Sequence, residues 1–139
     1  MKSTATALLL VAFPLAALAQ VFRCDEPKGI SMRSSEGQKP GPDGYKGVKP
    51  VAIIGEKEMT IVWGDSQSAG SEEKAWKAVI INRNPRSVSA VTLDAGEVGS
   101  TVMLFTMDLK RNYLYMSAHK EGGMLNDSNA STFASKCGK

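Results

Sequence analysis

The chain has 139 residues, with 17 basic and 14 acidic side chains and a formal net charge of +3 at neutral pH. That length suits one domain with a real core, and a balance so near neutrality excludes the basic stripe expected of a nucleic-acid binder. One histidine and two cysteines are too few donors for an ordinary zinc site, so no metal and no cofactor is expected.

The chain opens with a targeting pattern. Lys2 supplies a positive start, Ala5 to Ala17 is apolar and uncharged, and Ala17-Leu18-Ala19 is a small-x-small cleavage site. Residues 1–19 therefore read as a signal peptide removed after Ala19, leaving 20–139 as a single β domain. The apolar run is shorter than the ~20 residues of a membrane span. No stable membrane insertion is expected after cleavage, and the location implied is periplasmic or secreted.

The rest reads as strands and turns. Val21–Cys24 and Ile30–Arg33 are the first candidates, followed by a Gly-, Pro- and Lys-rich stretch, Ser34–Pro50, expected to be a long loop. Val51–Ile54 is a continuous apolar run. In Met59–Trp63, alternation puts Met59, Ile61 and Trp63 on one face. After the polar segment Gly64–Glu73 a strand is expected over Trp76–Asn82, with room for a helical turn before it. Ser87–Leu93 alternates with Val88 and Ala90 on one side. Thr101–Leu109 is the clearest strand, with Met103, Phe105, Met107 and Leu109 on one face. Lys110-Arg111-Asn112 turns it into Tyr113–His119. Glu121–Asn129 is expected as loop, and Ser131–Cys137 closes the chain with Phe133 and Cys137 on one side. The fold class is all-β: a single small antiparallel barrel or a two-sheet sandwich of about eight strands.

In an oxidising compartment two cysteines usually pair, so a Cys24–Cys137 disulfide tying the first strand to the last is expected; no CxxC spacing points to redox chemistry. No catalytic residue is assigned. His119 stands without a GxSxG nucleophile motif, and Glu72-Glu73 are adjacent rather than paired across a site. No phosphate loop is present. Met32, Met59, Met103, Met107, Met116 and Met124 could serve Cu(I), but methionine at core spacing more simply fills core gaps. Tyr113, Tyr115, Ser117 and His119 share one face, a patch for a ligand or partner if it points outward.

Phe22-Arg23-Cys24, Met59 to Asp65, Leu104 to Leu109, Tyr115 to Lys120 and Phe133 to Cys137 together resemble a group of small exported proteobacterial proteins of no established function. The resemblance covers most of 20–139 and implies export without implying an activity. In layout the chain is also similar to the periplasmic C-type lysozyme inhibitors, small exported β-barrels with a disulfide that insert a Ser-Gly-rich loop and a basic residue into the lysozyme cleft. Ser66 to Ser71 is the comparable loop. Glu72-Glu73 stand where that family has Arg-Tyr, and Trp76-Lys77 stand for its Trp-Trp-Lys, so no inhibitory site is carried over. The function expected is that of a non-enzymatic binding or envelope protein whose partner is an unknown protein or small ligand. The alternatives are a lysozyme inhibitor and a Met-based copper-binding protein.

Overall fold

The computed structural model describes residues 19–64, 75–96, 99–122 and 127–139. Ten strands follow one another: β1 (Gln20–Cys24), β2 (Lys28–Arg33), β3 (Gly41–Gly44), β4 (Pro50–Ile54), β5 (Glu58–Trp63), β6 (Ala75–Arg83), β7 (Ser87–Gly96), β8 (Gly99–Asp108), β9 (Tyr113–Gly122) and β10 (Asn129–Gly138). All pairings are antiparallel, in the order β1-β4-β5-β6-β7-β8-β9-β10, and β10 returns to β1. The result is a closed eight-stranded barrel with two extra strands, β2 and β3, laid on β10. Closure removes the unpaired edges that an open meander would present.

Alternation decides which way each strand faces. In β8 the inward residues Met103, Phe105 and Met107 are buried, while Val102 and Leu104, which alternate with them, are exposed. The same alternation sends Leu114, Met116 and Ala118 of β9 inward and Tyr113, Tyr115, Ser117 and His119 outward. Phe22, Met59 and Ile61 complete a dry interior with no solvent-exposed surface. Charged Arg23, Lys77 and Lys136 stand outside. Val79, Ile81 and Leu93 are exposed on the same outer surface. Among the described residues no helix is long and apolar enough to cross a membrane.

One end of the barrel is finished by tight turns held by polar side chains. Asn84 Oδ1 accepts from the N–H groups of Arg86 (2.9 Å) and Ser87 (3.0 Å). Asp108 Oδ1 accepts from Lys110 (2.9 Å) and Arg111 (2.8 Å) in the same manner, and the Arg111 N–H in particular holds this carboxyl below its usual range. Both are side chains that mimic a backbone turn, which is why Asn and Asp start these connections. Asn112, the last residue of the second turn, sits at φ 56°, a left-handed conformation Asn tolerates better than most residues.

At the seam, β10 has two neighbours on one edge. Its N-terminal part, Asn129 to Ala134, pairs with β2, and its last residues pair with β1 through Arg23↔Gly138 and Cys24↔Cys137. Between them the chain breaks at Asp25-Glu26-Pro27. Asp25 donates its N–H to Lys136 O (2.8 Å), and the buried Ser135 hydroxyl donates to Asp25 O. Pro27, itself buried, falls where no ladder donor is needed. The Cys24–Cys137 disulfide bridges directly opposed residues whose Cα atoms are 3.9 Å apart. It reinforces the shortest pairing in the barrel.

Two sequence expectations change here. Ser34–Pro50 is not one long loop: it contains a 3-10 turn at Ser34–Glu36 and the strand β3, and Pro50 opens β4. Glu121–Asn129 is not loop throughout, because Glu121 and Gly122 extend β9 and Asn129 starts β10. The choice between barrel and sandwich falls to the barrel. The signal-peptide expectation covers residues 1–19, of which 1–18 lie outside the described residues. So do the loop Ser66–Ser71, Glu72-Glu73 and Met124.

Candidate functional site

The two ends of the barrel are unlike. Gly55–Lys57, Asn84–Arg86 and Leu109–Asn112 make the short turns of one end. The connections 34–40, 64–74 and 123–128 join strand ends at the other, with the two-residue link between β7 and β8. Long connections raised on a rigid scaffold are where binding residues concentrate.

At this second end the register places outward residues of five strands in one row. Leu93 opposes Val102, Val102 opposes His119, His119 opposes Ala130, and Ala130 opposes Met32. A parallel row runs through Val91, Leu104, Ser117, Thr132 and Ile30. Neither row contains a carboxylate, lysine or arginine. Leu93, Val102, Leu104, Ile30 and Met32 are all exposed, Leu93 most of all at 65%. These exposed apolar side chains lie on either side of His119 in the first row and of Ser117 and Thr132 in the second.

The first row runs into a groove of about 420 Å³. Val102, His119, Ala130 and Met32 line it in register order across β8, β9, β10 and β2, and Lys120 and Glu121 follow His119 along β9. Another wall comes from the 3-10 turn and the start of β10, with Ser34, Gln38 and Ser128. That wall is clamped in place by Asp127. Its carboxylate accepts from the Ser34 hydroxyl, from the Ser35 hydroxyl (2.8 Å) and from the Ser35 N–H (3.0 Å). Ser34 N–H donates to Ser128 O (2.9 Å), and Ser128 N–H donates to Ser34 Oγ (3.0 Å). The serine donors, the Ser34 hydroxyl first, pull the Asp127 carboxyl down to about 2.

The inward face of the same end is polar above the core. Asp94, Thr101, Lys120, Asn129 and Arg33 follow one another across β7, β8, β9, β10 and β2. Trp63, Trp76 and Tyr45 are partly buried against the core. The Tyr45 ring lies 5.2 Å from Trp63 and 4.9 Å from Phe133, and burial pushes its phenol pKa up. This aromatic cluster caps the core. A second, shallower hollow of about 400 Å³ beside Pro27, Asp43 and Tyr45 is bounded by the loop that Glu26 pins through Gly47 N–H (3.0 Å).

The residues singled out in the sequence divide accordingly. His119 is exposed in the groove, and the face it shares with Tyr113 and Tyr115 does point outward. Ser34, on the other side of the groove, directs its hydroxyl to Asp127. Met59, Met103, Met107 and Met116 are buried in the core, as gap-filling predicts. Met32 is exposed in the groove. Sequence reasoning missed the groove itself, because Ser34 in its wall is held by Asp127, 93 residues away.

Fold and site together define a small closed antiparallel β-barrel with short turns at one end and a groove at the other. Compared with protein-family models, with curated proteins and with solved structures, the chain finds no match.

Proposed function

We propose that the chain is a non-enzymatic binding protein of an oxidising, exported compartment, the periplasm or the cell exterior, and that its ligand is held in the rim groove. One observation carries this reading: the exposed apolar row across β7 to β2 leads into a groove whose far wall is fixed by the Asp127 clamp. A pre-formed concavity that combines apolar Met32, Val102 and Ala130 with polar side chains such as Ser34, Gln38 and His119 is a form a ligand site takes. Export is supported by the Lys2 to Ala19 pattern and by the disulfide.

Native mass spectrometry tests it, on protein exported with its own leader and kept unreduced. The expected species starts at Gln20, lacks two hydrogens and carries an adduct that the groove-filling substitution Ala130→Phe removes. An unprocessed mass, or an adduct that Ala130→Phe leaves in place, would overturn the reading.

A second reading is a lysozyme inhibitor. It is favoured by the position of the β5–β6 connection, which leaves Gly64 and re-enters at Ala75 on the binding rim. Stoichiometric slowing of a C-type lysozyme supports it; full lysozyme activity at a tenfold excess of the protein ends it.

A further inference from the structure

We propose that Gln20, set free as the first residue by cleavage after Ala19, closes on itself into a pyroglutamyl lactam that caps the seam strand β1. This rests on the reading of the chain as an exported protein and names a modification of its new terminus. Two observations meet at this residue. The cleavage pattern Ala17-Leu18-Ala19 makes Gln20 the amino terminus, and glutamine is the amide residue whose side-chain carbonyl carbon can close a five-membered ring with its own α-nitrogen. Gln20 is also exposed at the first position of β1, a strand that turns inward only at Phe22 and Cys24. Its side chain is unpacked and free to fold back over its own nitrogen.

The step balances without a co-reactant. The neutral α-amine of Gln20 attacks Cδ of its own carboxamide, a new N–Cδ bond closes the ring, and the Cδ–Nε2 bond breaks. Nε2 leaves as ammonia, carrying away the proton that the amine sheds. Nothing is oxidised or reduced. An α-amino group titrates at about 7.7–8.0, so part of it is neutral near pH 7. Attack within one side chain has the high effective concentration of an intramolecular reaction. The lactam keeps one N–H on the ring nitrogen and leaves the carbonyl of residue 20 untouched, so the Gln20↔Ile54 register is compatible with it. What is lost is the terminal ammonium.

The topology gives the cap its use. Gln20, Val21 and Phe22 pair with β4, opposite Ile54, Ile53 and Ala52. On the other edge of β1, among the described residues, the ladder to β10 stops at Arg23↔Gly138. The first residues of the strand are therefore held from one side, and Gln20 and Val21 are exposed. A terminus of that kind is where fraying and exopeptidase attack begin. Next along the chain stand Phe22, wholly buried, and then Arg23 and the bridged Cys24. Trimming from an open amine would draw an aromatic anchor out of the core beside the short pairing that closes the ring. A lactam offers an aminopeptidase no amine to grip.

The test takes the unreduced protein exported with its own leader and reads its intact mass and its N-terminal peptide by mass spectrometry. The expected terminus is residue 20, lighter than the open glutamine by one ammonia, beyond the two hydrogens of the disulfide. Edman degradation of the denatured chain should be blocked, and should start at Val21 after treatment with pyroglutamyl aminopeptidase. Gln20→Asn keeps a carboxamide but shortens its arm, so that closure would need a four-membered ring; its terminus should stay open. Leucine aminopeptidase should then shorten the folded Gln20→Asn variant and leave the wild type whole. A terminus at Gln20 that retains its ammonia overturns the proposal and leaves the export reading standing. A chain that keeps its leader, or is cut elsewhere, overturns both. Equal resistance of wild type and variant to the aminopeptidase would overturn the protective role of the cap.

Discussion

Asp127 shows how one side chain can set the shape of the site. It gathers three donors from Ser34 and Ser35, and its carboxyl is lowered to about 2. A group depressed in the folded state contributes its stabilisation above the ordinary carboxylate range and loses it as pH falls through the folded value. The clamp should therefore be intact at pH 5 and give way between about pH 4 and pH 2. Amide hydrogen exchange at Ser34 to Gln38 checks this: exchange there, corrected for its intrinsic pH dependence, should rise across that window. In Asp127→Asn it should already be raised at pH 5 and show no such step. Unchanged protection in the variant would mean that the Ser34–Ser128 backbone bond holds the wall alone. None of this was legible in the sequence, where Asp127 stood in an expected loop and Ser34 in another. A hydrogen bond across 93 residues leaves no local pattern.

At the level of elements, legibility followed burial. β5, β8 and β9 each bury one face, so alternation of Met59, Ile61 or of Met103, Phe105, Met107 wrote their type and orientation into the chain. β3 has the sequence Gly-Pro-Asp-Gly and no apolar face to declare it. It is a strand because β2 offers it an edge, with Lys28↔Gly44 and Ile30↔Pro42, and tertiary context overrides its turn-like composition. Its existence depends in turn on Gly29. A Cβ there would stand 1.8 Å from Thr132 O, a backbone atom that cannot swing aside. Gly29→Ala should force β2 off β10 and take β3 with it, at a cost of about 3 kcal/mol or more. Hydrogen exchange should show protection lost over β2 and β3 and retained in β5 to β9, whose pairings do not involve Gly29. Equal loss throughout would show that the hairpin and the barrel fold as one unit. The groove wall continues directly from β2, so ligand binding should fail in this variant even where the barrel survives.

The barrel as a whole is closed at one narrow place. Pattern alone left barrel and sandwich open because the deciding contact, β1 with β10, joins residues more than a hundred apart and involves only two register pairs. The eight β9–β10 register pairs further round the ring would form regardless; the seam would not. Its ladder is too short to hold β1 against β10 once the chain frays, and the Cys24–Cys137 bond supplies the missing constraint. A bridge with a sequence separation of 113 should contribute on the order of 4–5 kcal/mol through the denatured state. A domain of this size commonly has only about 5–15 kcal/mol in total. Replacing both cysteines, Cys24→Ser with Cys137→Ser, should thus leave a marginal fold. The urea midpoint should fall steeply, and the same fall should appear when the wild-type protein is unfolded in dithiothreitol. The two buried positions make Ser a harsher replacement than Ala, so the Ala pair separates loss of the bond from burial of hydroxyls. If the Ala pair keeps its stability to within about 1 kcal/mol, the entropic estimate does not apply here, and Ser135, Asp25 and the Phe22 ring under Lys139 hold the seam. If it does not, folding of this barrel is tied to an oxidising compartment, because reduction removes the constraint that makes the ring close.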